Sequence, residues 1–156
     1  MDSDLEWEKR AEEKPLPEEE QREEKKYPPK LNFKMIKFKS LNQSKDFIKI
    51  LKKKRINTKY FTIYFDKNFK NGFNKYLHIS FVMKKDVGNA VIRNKIKRRL
   101  KYAVQKISKE NELIDLNYTY VIFGKNNVYK DQFADVLNEV NETFKKIKKI
   151  ENRAWK

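Results

Sequence analysis

The chain has no cysteine, a single histidine, three glycines, and no proline beyond residue 29. Without cysteine there is no disulfide and no thiolate metal site, which suits a reducing compartment. His78 has no second histidine or cysteine with which to share a ligand or base role, so it reads as a structural or surface side chain. Gly72, Gly88 and Gly124 are too scattered to build a phosphate-binding loop. Clustered carboxylates are missing as well. In the basic part of the chain Asp46, Asp66, Asp86, Asp115 and Asp131 stand far apart, and no short motif joins two of them for a divalent metal. No apolar run approaches the roughly 20 residues of a membrane span, and Met1-Asp2-Ser3-Asp4 is unlike the start of a signal peptide. The expectation is a cytoplasmic protein with no membrane partner, no small-molecule cofactor, no metal site and no catalytic site of its own.

What the chain has in excess is positive charge. The net charge is +16 over 156 residues, and it is unevenly spread. Residues 1–27 carry 11 acidic and 6 basic groups, net −5, which leaves 32 basic and 11 acidic groups, net +21, on the other 129. A surplus of that size implies a polyanionic partner. All four prolines (Pro15, Pro17, Pro28 and Pro29) fall in the first thirty residues with the run Glu18-Glu19-Glu20. So polar a segment cannot repay its ordering entropy by burial, and residues 1–30 are expected to form a disordered extension. One domain is expected over 31–156.

Within that domain residues 31–39 read as an extended lead-in. Ser40-Leu41-Asn42-Gln43 has capping-box spacing, and Phe47, Ile48, Ile50 and Leu51 continue at helical intervals, which predicts a first helix up to about Arg55. Thr58 to Phe65 is aromatic and β-branched. As a strand it sets Tyr60, Thr62 and Tyr64 on one face and Phe61, Ile63 and Phe65 on the other. Asn71-Gly72 offers a turn into a return strand from Tyr76 to Met83. A helix over about Val91 to Ser108, a strand over Tyr118 to Phe123 and a helix over about Asp131 to Ile150 follow. The order helix, strand, strand, helix, strand, helix predicts an α+β fold, a small mixed sheet packed against amphipathic helices.

The segment Lys84 to Lys101 holds eight Lys or Arg against a single Asp among eighteen residues, while Ile96, Leu100, Ala103, Val104 and Ile107 keep the spacing of a buried stripe. Such a helix docks on one side and presents cations on the other. Arg93, Lys97 and Lys101 fall at i, i+4 and i+8, with Asn94 and Arg98 on the adjoining row. Like charges so close repel one another, and a phosphate backbone would offset that repulsion. Nucleic-acid binding is therefore preferred over a merely solvated lysine-rich face. Tyr64, and with it Tyr60, are candidates for stacking on unpaired bases, because a tyrosine hydroxyl prefers a wet edge to a dry core.

Residues 88–94, Gly-Asn-Ala-Val-Ile-Arg-Asn, with Lys84-Lys85 before them and Ile96-Lys97-Arg98 in register after, closely resemble the signature of the protein component of bacterial ribonuclease P. Leu41 with Asp46-Phe47 resembles the first helix of that family, and Phe61-Thr62-Ile63-Tyr64 its first strand. The resemblance spans about residues 38–150 and leaves the acidic extension outside. Lys95 departs from it by standing where the family usually has the second arginine of Arg-Asn-Arg, and lysine cannot form the same bidentate fork. Leu51 stands where many relatives place an aromatic, and Asp86 lengthens the turn before Gly88.

The resemblance implies a sheet with a left-handed βαβ crossover into the basic helix, and a cleft beside the first helix for the 5′ leader of precursor tRNA. It implies two partners, the ribonuclease P catalytic RNA and precursor tRNA, and Mg2+ acting in the RNA active site. The RNA contacts it implies are Lys84, Lys85, Asn89, Arg93, Asn94, Lys95, Lys97, Arg98, Arg99 and Lys101, with Phe47, Leu51, Tyr60 and Tyr64 lining the leader cleft. A ribosomal-type structural RNA-binding protein and a stand-alone metal-dependent nuclease are the rival readings.

Overall fold

Alternation along one strand organises the molecule. In the computed structural model, which describes residues 36–67, 76–110 and 112–154, β3 (Phe61–Lys67) buries Phe61, Ile63 and Phe65 and leaves Thr62 and Tyr64 half-exposed. Its neighbour β5 (Tyr118–Gly124) runs antiparallel, in a register that pairs Ile63 with Ile122 and Phe65 with Tyr120. β4 (Tyr76–Val82) lies parallel to β5 on the other side and sets Ile79 against Tyr120. Three strands thus place one continuous apolar face together, because side chains two apart in a strand share a face.

Two long helices cover that face. α2 (Ala90–Glu110) buries Ile96, Leu100, Ala103, Val104 and Ile107. α4 (Phe133–Ala154) buries Val136, Val140, Phe144 and Ile147, with the Phe144 ring edge-on to Tyr120 at 5.4 Å. Full burial of side chains of this kind stabilises by roughly 1.5–3 kcal/mol each. Contact between α2 and the sheet is close at Gly124, where an added Cβ would sit 2.7 Å from Ile96 Cγ2 and 2.6 Å from Met83 Sδ. Only glycine leaves α2 room there.

Among the described residues the sheet has five strands, with β1 (Lys37–Lys39) and β2 (Lys54–Asn57) at its edges, in the order β1-β4-β5-β3-β2. β4, α2 and β5 form a parallel crossover between adjacent strands, so the basic helix is slung directly over the sheet. β1 (Lys37–Lys39), from the expected lead-in, pairs parallel with β4 and sets Phe38 6.4 Å from Phe81. β5 separates β3 from β4, so the two do not pair as the hairpin that Asn71-Gly72 suggests. That dipeptide and the acidic extension over 1–30 lie outside the described residues.

The first helix is shorter than its periodicity predicts. α1 spans Ser44–Leu51, with Gln43 at its N-cap and no side-chain cap. Ser40 to Gln43 does not act as a capping box, because Leu41 N–H donates to Ser80 Oγ at 2.9 Å and holds this stretch against β4. After Leu51 the apolar period gives way to lysines, and Lys54–Asn57 becomes edge strand β2, antiparallel to β3, with Ile56 opposite Ile63. The last helix starts at Phe133, because Asp131 is occupied in contacts described below. A short α3 (Asn127–Lys130) precedes it.

Candidate nucleic-acid interface

The basic helix is aimed by the turn before it. A 3₁₀ turn at Lys85–Val87 leads into Gly88, whose φ of 156° and ψ of −173° belong to a region essentially reserved for glycine. Asn89 then caps α2, its Oδ1 accepting the Ile92 N–H at 3.0 Å. Asn89, an expected RNA contact, is therefore first a helix cap, although it stays exposed.

One turn into α2, Arg93, Asn94 and Lys97 line a cavity of about 230 Å³ together with Phe81, Met83 and Ala90. Arg93 Nε is buried and has no hydrogen-bond partner among the described residues. Lys84, Lys85, Asn94, Lys95, Lys97, Arg98 and Lys101 are exposed. The ion pairs among the described residues are Lys53–Asp66, Lys59–Asp131 and Lys145–Glu142, so no carboxylate among the described residues forms an ion pair with a cation of α2. The row is closely spaced, an arrangement whose repulsion falls when phosphates lie along it.

Arg99 leaves this set. Its guanidinium is turned inward and donates to the carbonyls of Val128, Tyr129 at 3.2 Å and Asp131 at 3.0 Å. It clamps the loop between β5 and α4 to the side of α2. The resemblance sets Arg99 among the RNA contacts, while its place on the helix, one residue beyond the Asn94 and Arg98 row, turns it toward α3.

A second surface lies on the opposite face of the sheet, where α1 packs on β3 and β5. Phe47 of α1 and Tyr64 of β3 both meet Phe123 of β5, at 6.1 Å and 5.6 Å between ring centroids. All three rings are half-exposed, as is Leu51 one helical turn beyond Phe47. Phe123 was not among the expected residues. Strand alternation could have found it, because Ile122 faces the core and its neighbour must face the other way. Lys125, just beyond β5, is held at the margin by hydrogen bonds from its Nζ to Asn57 Oδ1 at 2.7 Å and to the Thr58 carbonyl.

Tyr60 does not join this aromatic group. It precedes β3 and is only 5 % exposed within the core. Its hydroxyl donates to Asp131 Oδ2 at 3.0 Å, an oxygen that also accepts from Lys59 Nζ at 2.6 Å. These two bonds, the lysine first, hold the Asp131 carboxyl below its usual range. His78 lies in β4 beside β1, and burial, aided by Lys39, holds its pKa below the ordinary histidine value. No group of three or more His, Asp or Glu that could hold a metal occurs among the described residues.

Comparison with known proteins agrees with this geometry. A family model described as Ribonuclease P matches residues 35–148. The ribonuclease P protein component of Gluconacetobacter diazotrophicus is 36% identical over 70 residues, which are 44% of this chain and 57% of that protein. That of Carboxydothermus hydrogenoformans is 28% identical over 116 residues, 74% of this chain and 96% of the relative. Among solved structures, the RNase P protein from Thermotoga maritima superposes with a TM-score of 0.56 at 23% identity, covering 69% of this chain and 96% of that one. At that identity the likeness shows a shared fold.

Proposed function

Because the chain belongs to the ribonuclease P protein family, we propose that it is the protein subunit of a ribonucleoprotein endoribonuclease that removes the 5′ leader of precursor tRNA. On this reading Arg93, Asn94, Lys95, Lys97, Arg98 and Lys101 hold phosphates of the catalytic RNA, with Lys84 and Lys85 at the entrance to the turn. Phe47, Tyr64 and Phe123 receive the unpaired leader on the other face of the sheet, where rings half-exposed at fixed angles can stack on bases.

The observation that carries the proposal is the presence of both surfaces on one sheet. α2 crosses one face with a row of cations that has no ion pair among the described residues, and an aromatic group occupies the other face beside α1. A purely structural RNA-binding protein needs the first surface and not the second. Among the described residues no helix is long and apolar enough to cross a membrane, and the proposed place of action is the cytoplasm.

The protein's contribution is binding and orientation. Bond breaking is assigned to the RNA, where Mg2+ supplies the charge stabilisation that phosphodiester hydrolysis needs. Holding the leader adds substrate affinity that lets the RNA work at lower Mg2+. Reconstitution with the cognate catalytic RNA tests this. Added protein should accelerate precursor cleavage at limiting Mg2+, and cleavage at an unchanged rate would refute it.

A further inference from the structure

Along one side of α2, Lys95, Arg99, Tyr102 and Lys106 succeed one another at intervals of four and three residues, the spacing of a single helical row. Two aromatic side chains, one in this row and one beside it, remain open to solvent. Tyr102 is 58% exposed and Tyr129 of α3 is 40% exposed. A lone exposed aromatic needs no explanation. These two, however, are held in place. Tyr129 lies with its ring centroid 5.5 Å from Lys95 Nζ, and its carbonyl is gripped by Arg99. Tyr102 leans on Phe133, the first residue of α4, at 5.5 Å between centroids. Arg99, which takes no exposed position itself, thus fixes the loop that carries the second ring.

We propose that Tyr102 and Tyr129 form a base-stacking platform for unpaired nucleotides of RNA whose phosphates follow the cations of α2. The inference rests on the RNA-binding reading above and extends it from the charged residues of the helix to a site no expectation included. Charge decides which partner fits. Lys95 lies over the Tyr129 ring, Arg98 and Lys106 stand one helical turn before and after Tyr102, and Lys101 and Lys130 are chain neighbours of the two tyrosines, whereas the cores of protein interfaces are depleted in lysine. A polyanion with flat, apolar bases meets both features at once, stacking on the rings and neutralising the cations. The helix between Lys95 and Tyr102 rises about 10 Å, which gives the platform room for a short stretch of strand. Double-stranded RNA hides its base faces and should use the cations alone.

The test uses the full chain and two probes, a short single-stranded oligoadenylate and an RNA duplex of similar length, each titrated over a series of salt concentrations. Tyr102→Ala and Tyr129→Ala should each weaken oligoadenylate binding by about fivefold or more, with larger loss in the double variant. Tyr→Phe at both positions should keep wild-type affinity. Tyr→Leu, which retains apolar packing on Phe133 without an aromatic face, should behave as the alanine variants do. Duplex affinity and the salt slope should not change. Equal oligoadenylate affinity in all variants overturns the platform, as does equal loss on both probes. So does a self-associating wild-type protein whose association, and not its RNA binding, the substitutions abolish. If the platform fails while the protein still accelerates precursor cleavage, the proposed function stands. A wild-type protein that binds neither probe and accelerates nothing overturns both.

Discussion

Tyr64 and Phe123 meet edge to face at 5.6 Å and 74°, although neither is the other's partner in the ladder: Tyr64 is registered with Val121, and Phe123 with Thr62. The contact is a diagonal one across an antiparallel pair, which long aromatic side chains can bridge. It joins Tyr64, one of the two strand residues expected to stack on the leader, with a ring that was not expected, and Phe47 reaches the same Phe123 ring from α1.

Phe123→Ala should therefore damage leader recognition as much as Tyr64→Ala does. Each is expected to reduce the preference for precursor over leaderless tRNA by about tenfold, within the roughly 1–3 kcal/mol per base of aromatic stacking. Competition binding of the two tRNAs to the reconstituted complex measures this. The double variant should lose less than the sum, because the two rings support one another.

Arg98 and Arg99 are adjacent in sequence and opposite in role. Arg98→Ala should lower the slope of log affinity against log salt for the catalytic RNA by about 1, the value for one phosphate contact, and leave stability unchanged. Arg99→Ala should leave the slope nearly intact and destabilise the fold by about 1.5–3 kcal/mol, because it strips a charged donor from the carbonyls of residues 128, 129 and 131. Salt titrations and denaturant melts of the two variants separate the roles.

Gly88→Ala should destabilise by about 1–3 kcal/mol, since its φ of 156° is closed to alanine and a Cβ would approach Ile92 Cγ2 to 3.0 Å. The backbone must then shift at the position that delivers Asn89 to its cap. Affinity for the catalytic RNA should fall with it, and chemical denaturation alongside RNA titration reports both.

Glu151 makes stability fall as pH rises toward neutrality. Burial, reinforced by Asp115, raises its carboxyl from an ordinary 4.5 to about 7, against the pull of Lys148, Lys54 and Lys67. The folded state holds that proton more tightly than the unfolded chain does. Its contribution is thus complete below about pH 4.5 and is lost as pH rises through about 7. Glu151→Gln should flatten this loss and raise the melting temperature at neutral pH, as thermal melts across the range would show. The solvent-exposed part of the side chain keeps the effect small.

Local patterning carried most of the fold. The stripe Ile96, Leu100, Ala103, Val104 and Ile107 is buried throughout, and Phe61, Ile63 and Phe65 face the core as their alternation implies. What local patterning could not show depends on chain segments far apart. β5 slots between β3 and β4, a pairing set by the crossover of α2 and invisible to the turn at Asn71-Gly72. The lysine run after Leu51 weakens the helical signal without revealing that Lys54–Asn57 will pair with β3. At the candidate interface the exposure of the α2 cations was legible because their spacing is local. Tyr60 and Arg99 were misplaced because both are claimed by the loop from 128 to 131, and Asp131 is 71 residues from Tyr60. Phe123 was legible in principle, since it alternates with the buried Ile122.

The central claim is that the two faces of the sheet bind two parts of one RNA assembly, the catalytic RNA on α2 and the leader beside α1. Its most direct measurement is the affinity of the complex, reconstituted from this protein and its cognate catalytic RNA, for precursor tRNA and for the same tRNA without its leader. The precursor should bind more tightly, in a way that depends on the protein and is lost in the Tyr64→Ala, Phe123→Ala double variant. Equal affinity for the two tRNAs, with the protein present and bound to the RNA, would contradict it.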